Sequence, residues 1–354
     1  MITIFGDIVE RNISKRVFLS ICIVAIAISL LDFLFTLIAE ISDLSLTYTL
    51  LDALTYSLNS IPGSIYAYLS YICLLGVLIG LGSLKEEGEI IAAKVLGKSN
   101  FKMVLASLRP ATLIIIIGLI FQELYLPSIS QSNEEIRLIK QNRISAEEGY
   151  WFASESSINF FGSSPNKNTV TDVEIYELGG KNDITKVIKS KRASRLDGEW
   201  ILYDIRVHDY KNNSIDYLED LNWNEGPNES QMRRVLSPKY LSISELDRAL
   251  TDEGSEFRKN KLLLEYWRKI FHPVTTILLI LLAVSFVFGS VRDDSLGRRI
   301  LVGVLFAFSL NTLQSLFESM AAVSLLNPLY SVLIPMWIVL FIIVLFWKFK
   351  LHLS

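Results

Sequence analysis

The stretch LGSLKEEGEIIAAKVLGKS, residues 81–99, joins two long apolar runs and decides how the rest of the chain is arranged. Its centre has no proline and is rich in alanine, glutamate and lysine, which are strong helix formers. Ile90, Ala93 and Leu96 recur at helical spacing and give the stretch one apolar face. A short amphipathic helix between two membrane spans has to lie at a membrane surface. We therefore predict a surface helix over about 86–97, where a partner outside the membrane can push on the spans.

The composition around this stretch is that of an integral membrane protein. The 354 residues are 51% hydrophobic, and the apolar residues are concentrated in blocks. Crossing a bilayer as a helix takes about 20 apolar residues. Six blocks are long enough, at about 17–39, 61–84, 103–125, 269–290, 300–323 and 329–347. The net charge of −3 gives no basic field that would attract nucleic acid. The pattern predicts an α-helical protein with six transmembrane helices.

Lysine and arginine mark one side of the predicted membrane. The N-terminal tail, the C-terminal tail and the connections at 84–102 and 291–299 all carry them, whereas the connections at 40–50 and 324–328 carry none. Positive residues accumulate in cytoplasmic loops. We therefore predict that both termini and the helix at 86–97 are cytoplasmic.

The long segment at 126–262 then lies on the outer side and is large enough to have its own core. Val170–Leu178 and Trp200–Tyr210 alternate apolar and polar residues as strands do, and an Asp-Gly turn precedes the second. An antiparallel sandwich or jelly roll is the predicted fold. The domains are residues 1–125 with three spans and the surface helix, 126–262 with a periplasmic β-jelly roll, and 263–354 with three spans.

The end of the outer segment changes from strand to helix. Ser242–Glu245 has the capping-box pattern that opens a helix. Arg258–Lys269 has helical composition and is expected to continue directly into the fourth span.

Motifs for enzyme chemistry are absent from the sequence. There is no phosphate-binding loop, nucleophile elbow or HExxH zinc motif, and the three histidines are scattered. Cys22 and Cys73 lie in apolar blocks, where a thiol packs as a small hydrophobic group. We predict no catalytic residue, no metal and no cofactor in this chain.

Charged residues within or beside the spans are candidates for a polar cavity. Such groups are costly in a bilayer and face a protein interior or water. They have two interpretations, a buried contact between spans or the lining of a substrate path. For Arg268 and Lys269 the alternatives are snorkelling to the interface or a contact with a lipid phosphate. The candidate cavity residues are Asp32, Glu40, Glu123, Arg268, Lys269 and Glu318.

Two motifs in this layout resemble the lipopolysaccharide-export permeases of the LptF/LptG family. Residues 81–99 resemble the family pattern "LG.LA…EL.AMRA.G.S", with Glu89 on the glutamate, Lys94 on the basic position and Gly97 on the glycine. Residues 265–300, EYWRKIFHPVTTILLILLAVSFVFGSVRDDSLGRRI, resemble "WRK…P…FVFG…R…GRRI". The arrangement of three spans, a jelly roll and three spans is also that of the family. Within it, the chain resembles the LptG type more than the LptF type.

The resemblance implies a permease subunit of an ABC-type exporter in the inner membrane of a Gram-negative bacterium. The exporter extracts lipopolysaccharide for transfer to the outer membrane, and a separate LptB-like ATPase dimer, which binds the ATP and Mg²⁺, powers it. The other implied partners are an LptF-like permease and an LptC-like single-span protein. The implied ATPase-coupling residues are Glu86, Glu87, Glu89, Lys94 and Gly97.

Other interpretations stay open at this point. The chain can be the LptF-type partner of the same complex, an ABC permease for a different lipid, or a membrane-anchored binding protein that transports nothing. One departure from the family also matters. LptG-like first spans often carry lysines in their outer half, where this chain has Asp32, Glu40 and Asp43. Either the lipid carries different head-group charges, or the positive contacts to its phosphates come from Arg268, Lys269 or the partner subunit. A divalent cation that bridges acidic residues and phosphates is a further alternative.

Overall fold

A computed structural model describes most of the chain and shows a helical protein with one separate antiparallel sheet. Six helices are long and apolar enough to cross a membrane, which confirms the predicted class and number of candidate spans. The described residues are 8–141, 149–228 without Glu155, Lys167, 180–182, Asp197 and Asn213, and then 238–252, 256–289 and 296–351.

The helices before the sheet are α1 (Ile8–Ile41), α2 (Leu50–Ala67), α3 (Leu69–Glu86), α4 (Glu89–Val95), α5 (Asn100–Leu124) and α6 (Leu126–Gln141). After the sheet come a 3₁₀ turn (Pro238–Tyr240), α7 (Ile243–Asp252), α8 (Glu256–Gly289), α9 (Leu296–Ala322) and α10 (Pro328–Leu351). The candidate spans lie in α1, α3, α5, α8, α9 and α10. We call the two ends of the bundle the α4 end and the sheet end.

The second predicted span is a broken helix, which corrects the single block expected at 61–84. α2 and α3 meet at Tyr68, whose backbone leaves the helical region with φ −94° and ψ 4°. The apolar candidate span starts only at Leu69, because the residues before the break include many hydroxyl and amide side chains. Irregular backbone at membrane depth is tolerated where it is buried in protein or lines a cavity.

α1 and α3 cross at very short distance through two glycines. A Cβ added to Gly76 would lie 2.6 Å from the Cα of Ile21, and one added to Gly80 would lie 2.9 Å from the Cα of Val17. Small residues four apart let two helix backbones approach in this way. Largely as a result, α3 lies in the centre of the bundle, and Ile72, Leu74, Leu78, Leu81 and Leu84 are completely buried.

The sheet has six strands in sequential order, each antiparallel to the next. They are β1 (Tyr150–Ala153), β2 (Ser157–Asn166), β3 (Thr169–Leu178), β4 (Ile184–Leu196), β5 (Glu199–Asp209) and β6 (Ser214–Asn222). β3 and β5 confirm the two strands predicted from alternation, whereas β4 and β6 were not predicted. The predicted turn before β5 is a hairpin in which Leu196 pairs with Glu199 and Gly198 has φ +93°. The jelly roll stays a prediction, because the described strands form one sheet.

Helices connect the sheet to the spans on both sides. α6 follows α5 with only Tyr125 between them, and no pattern in the sequence analysis predicted it. The capping box before α7 is confirmed, since the Ser242 N–H donates to the Glu245 carboxylate (3.1 Å) and the Glu245 N–H donates to the Ser242 hydroxyl (3.2 Å). α8 is continuous for 34 residues, as predicted for a helix that runs directly into the fourth span.

The close crossing of α1 and α3 leads to a prediction about the stability of the fold. We expect Gly76→Ala to lower the free energy of unfolding by about 1–3 kcal/mol, because the new methyl group meets backbone that cannot move aside. The thermal unfolding midpoint of the purified protein measures this. Gly297→Ala is the matched control, since a Cβ there meets no atom within 4 Å. Equal midpoints for the two variants would contradict the close approach.

Candidate functional site

α4 is a separate short helix between two glycines with left-handed backbone. Gly88 has φ +76° and Gly97 has φ +80°, and the helix covers Glu89–Val95. A helix is therefore present in the segment where one was predicted over 86–97, but it covers only Glu89–Val95. Glu86 ends α3 and Glu87 lies in the turn that follows it, because the backbone reverses at Gly88.

The exposed side of α4 is apolar rather than acidic. Ile90 and Ala93 are buried, as their spacing predicts, but Leu96 is 69% exposed. Ile91 at 63% and Val95 at 83% lie on the same outer side of the helix. We call Ile91, Val95 and Leu96 the α4 apolar surface. An exposed apolar patch at a helix end suits a contact with another protein or with the membrane surface.

The acidic residues of this segment face α1. Asn12 donates an amide hydrogen bond to Glu89 (2.6 Å), and Arg16 forms an ion pair with Glu87 (3.0 Å). Nearby, Glu10 of α1 pairs with Arg109 at the start of the third span (3.1 Å). The α4 segment is therefore joined to the first span by a hydrogen bond and an ion pair.

The remaining predicted coupling residues have different surroundings. Lys94 lies 5.9 Å from the centre of the Phe288 ring on α8. Gly97 supplies the left-handed residue after the helix, as predicted, and Glu86 is exposed. The structure thus places these residues in one segment, while their coupling role stays a prediction.

A polar cavity of about 400 Å³ lies at the sheet end, beside the break between α2 and α3. Its wall comes from α1, α2, α5, α6, the 3₁₀ turn and α8. Asp32, Arg268 and Lys269 from the predicted cavity set are in this wall, whereas Glu40, Glu123 and Glu318 are not. The structure thus places three of the six candidates in this wall, and their role toward a substrate stays a prediction.

Several buried polar atoms in the cavity wall have no hydrogen-bond partner among the described residues. They are both amide atoms of Gln122, both ring nitrogens of His272, the Tyr66 hydroxyl and one carboxylate oxygen of Glu265. The rings of Tyr66 and His272 are stacked with centres 4.7 Å apart. A buried polar group without a partner costs about 1–3 kcal/mol. The wall is therefore suited to water or to a polar ligand group that supplies both donors and acceptors.

Sequence reasoning did not predict these uncharged wall residues. His272 was dismissed as an isolated histidine, and Gln122 was not considered. The sequence signal that could have identified them is their position beside charged residues. Gln122 adjoins Glu123, and His272 lies one helical turn after Arg268. Polar residues next to charged ones at the end of an apolar span favour a common polar environment.

Two ion pairs connect α9 to the cavity wall, and they involve Glu318, Arg268 and Glu265. Arg268 lies 3.2 Å from Glu265 and 3.8 Å from Glu318. Two predicted cavity residues are thus brought together as a partly exposed ion pair between neighbouring spans.

Glu123 has a different role from the predicted cavity lining. Its carboxylate accepts hydrogen bonds from the backbone N–H groups of Ile243 (2.9 Å) and Ser244 (3.2 Å). These groups are the free donors at the start of α7, and a carboxylate there also interacts favourably with the helix dipole. Lys269 holds the preceding backbone by donating to the carbonyls of Lys239 (3.3 Å) and Leu241.

Glu40 is buried in a polar network at the sheet end of α1. It is 3% exposed and accepts hydrogen bonds from Tyr48 (2.8 Å), Arg137 (3.1 Å) and Gln141 (3.0 Å). Burial and the adjacent Glu40 carboxylate raise the pKa of Tyr48 well above its ordinary value. Removing one partner of such a buried pair costs about 3–5 kcal/mol, because the other charge is left without compensation. Arg137 is not among the predicted site residues, and it lies in α6, a helix that the sequence patterns do not predict.

Comparison with known proteins gives the family of this chain. The family model for the lipopolysaccharide export system permease LptF/LptG matches residues 11–349. The chain belongs to the LptF/LptG family. The match covers the candidate spans, α4, the cavity wall and the sheet. Members of this family are membrane subunits of a transporter and are not enzymes themselves.

Two curated relatives are both named LptG. The chain is 26% identical over 312 residues to the lipopolysaccharide export system permease protein LptG of Haemophilus influenzae, covering 85% of this chain and 86% of the relative. It is 23% identical over 345 residues to LptG of Escherichia coli K12, covering 94% and 95%. In the part of the chain that the structure describes, no group of three His, Cys, Asp or Glu could hold a metal ion.

The ion pair between Lys140 of α6 and Asp52 of α2 leads to a prediction about how stability depends on pH. Hydrogen bonds from Lys140 and from Thr49 lower the pKa of Asp52 from 3.8 to about 2. A lowered carboxylate pKa stabilises the fold above the ordinary value, and this contribution is lost as the pH falls through about 2. We expect Lys140→Met to unfold at a lower temperature than wild type near neutral pH. The difference should shrink between pH 4 and 2, as followed by thermal unfolding at about these values. A difference that is constant with pH would show that the ion pair is not its cause.

Proposed function

We propose that this chain is the LptG-type permease subunit of a lipopolysaccharide exporter in a Gram-negative inner membrane. The observation that carries the proposal is the extent of the family match, which includes both the spans and the sheet over residues 11–349. An anchored binding protein would need only one span and its outer domain. The names of the curated relatives support LptG over LptF.

The proposed topology places both termini and α4 in the cytoplasm and residues 126–262 in the periplasm. The positive charges on the α4 side support this orientation. Three spans precede the outer domain and three follow it, so that the domains are 1–125, 126–262 and 263–354. We infer that the outer domain completes the jelly roll of the family from the six-stranded sheet.

The α4 apolar surface is the proposed docking site for an LptB-like ATPase. Ile91, Val95 and Leu96 supply the buried area, because their exposed side chains are the main apolar surface of α4. Glu89 is held by Asn12 at the edge of this surface. Lys94 and Glu87 then lie at the polar rim, as is common for protein interfaces.

Energy enters this chain mechanically. The ATPase dimer holds ATP and Mg²⁺, and its closure displaces α4. Because Asn12 and Arg16 link the α4 segment to α1, the displacement passes to the first span. A second, LptF-like permease completes the lipid path, and an LptC-like single-span protein receives the lipid. No bond of the lipid is changed.

The cavity at the sheet end is proposed to receive a polar group of the lipid. Arg268 and Lys269 can contact phosphate, and the unpartnered groups of Gln122, Tyr66 and His272 can bind hydroxyl groups. Burial of acyl chains elsewhere in the path supplies most of the affinity, at about 0.8 kcal/mol per CH₂ group. Asp32 lies in the same wall, so cationic contacts come from α8 and from Lys239 of the 3₁₀ turn rather than from the first span.

The docking proposal predicts that variants of the α4 apolar surface bind the ATPase less well. We expect Ile91→Asp combined with Val95→Asp to reduce ATPase copurification at least tenfold, since a charge replaces the apolar contact on each of two helix turns. Glu89→Lys should reduce it as well by reversing the charge at the rim. ATPase recovered with the tagged permease complex measures both effects.

Two control variants separate docking from folding. Asn12→Ala removes only the internal partner of Glu89 and should retain the ATPase, and Ile136→Asp changes an exposed apolar residue of α6 at the opposite end of the bundle. Unchanged recovery in the Ile91/Val95 variant would remove α4 as the docking site. Complexes without ATP-driven release of lipopolysaccharide would contradict the transporter proposal and favour an anchored binding protein.

The cavity proposal predicts contact with the lipid. A photo-crosslinking residue at Asn59, which lines the cavity, should give a lipopolysaccharide adduct at least tenfold above that at Leu51, which lies on the same helix outside it. Immunoblotting for lipopolysaccharide detects the adduct. Arg268→Gln should lower the yield at Asn59. Equal yields at the two positions would show that the cavity does not select the lipid.

The subunit composition of the purified complex distinguishes the LptF-type alternative from the LptG proposal. A complex that contains this chain and an LptF-like second permease supports the LptG position. A complex in which the second permease is LptG-like supports the alternative. Mass spectrometry of the intact complex gives this result directly.

A further inference from the structure

The two connections between the bundle and the sheet are both held by charged side chains from the ends of the spans. The chain leaves the bundle through α6 and returns through the 3₁₀ turn and α7. We call α6, the 3₁₀ turn and α7 together the outer platform. α6 also contacts β2, so that the outer platform touches the sheet itself.

The first attachment, the entry clamp, consists of Glu40 and Arg137. The Arg137 guanidinium donates through Nε to one Glu40 oxygen (3.1 Å) and lies 3.0 Å from the other, which is a two-point contact. Arg137 also packs on the Tyr56 ring of α2, with 4.9 Å to the ring centre. Two-point contacts of this kind fix orientation as well as distance. The entry clamp therefore sets the angle of α6 against α1 and α2.

Further residues of α6 extend this attachment along one face of the helix. Asn133, Arg137 and Lys140 recur at spacings of four and three, which places them side by side. Asn133 donates to the Tyr56 carbonyl (3.0 Å) and to the Ser60 hydroxyl (3.1 Å). The whole length of this face is thus bonded to the outer half of α2.

The second attachment, the exit clamp, consists of Glu123, Gln131 and Lys269. These residues come from α5, α6 and α8, and each bonds backbone groups of the returning chain. Gln131 donates to the Tyr240 carbonyl (3.0 Å), which lies between the carbonyls held by Lys269. Glu123 holds the first N–H groups of α7. Consecutive residues of the return are therefore fixed by three different helices.

We propose that Glu40, Arg137 and Glu123 are positioning residues for transport, which make the outer platform move as one body with the outer ends of α1, α5 and α8. A displacement that begins at α4 would then reach the sheet without loss in the connecting segments. Hydrogen bonds are directional, whereas apolar contacts between the same helices would allow them to slide. The transport consequence rests on the proposed function, but the rigid attachment does not.

The attachment is tested by distances in the full-length chain in lipid nanodiscs. Spin labels carried by an unnatural amino acid at exposed Ile38 of α1 and exposed Tyr217 of β6 report the sheet, and labels at Ile38 and Asp247 report α7. We expect Arg137→Met to widen the first distance distribution at least twofold and Glu123→Gln to widen the second at least twofold. Lys189→Met, which breaks the ion pair with Glu174 on the sheet surface, is the control and should leave both widths unchanged.

The transport consequence is tested in the reconstituted complex with its ATPase. We expect each clamp variant to hydrolyse ATP within twofold of wild type while lipopolysaccharide release falls at least tenfold, a separation that general destabilisation does not give. If Arg137→Met does not fold, Arg137→Lys keeps the charge but loses the two-point contact, and Glu123→Asp shortens the reach of the other clamp. Unchanged widths in both variants would overturn the clamps. Absence of lipid release in the wild type would overturn the proposed function and leave the distance result standing.

Discussion

The close contact between α1 and α3 is the constraint on which the rest of the bundle depends. Gly76 and Gly80 allow the α3 backbone to lie against Val17 and Ile21, and α3 is consequently enclosed by other helices. A helix buried in this way has to end where its side chains become polar. It does so at Tyr68 on one side and before Gly88 on the other. The cavity and α4 are thus placed at the two ends of the same central helix.

The polar groups at these two ends follow from one physical requirement. A charge that leaves water needs a partner, and at both ends the partner belongs to a different helix. Glu10 and Glu89 have partners across α1, α4 and α5, while Glu40 and Glu123 have partners across α1, α5, α6 and α7. Apolar packing fixes the middle of the bundle, whereas ion pairs and hydrogen bonds fix its ends. This division places the directional contacts where a transporter has to transmit movement.

The parts of the fold that were predictable are those with a local pattern. Hydropathy predicts the spans, alternation predicts β3 and β5, and Ser242 with Glu245 predicts the start of α7. β4 was missed because lysines and arginines interrupt its apolar positions. In the cavity wall, Arg268 and Lys269 are conspicuous in the sequence as charges, whereas Gln122 is not. Glu123 was assigned to the cavity because its true partners are backbone groups 120 residues away, which no sequence pattern displays. Contacts of that range are set by packing and not by spacing.

The length of α8 has a consequence of its own. A helix of 34 residues is about 51 Å long, whereas the hydrocarbon core of a bilayer is about 30 Å thick. With the span at the predicted 269–290, the difference leaves a rod of roughly 20 Å above the membrane on the sheet side. A rod of this kind acts as a lever whose pivot lies at the membrane surface. Tilting the span by about 10° would carry its tip sideways by roughly 3.5 Å, which is more than the length of one hydrogen bond. Small rotations within the bilayer are therefore magnified outside it.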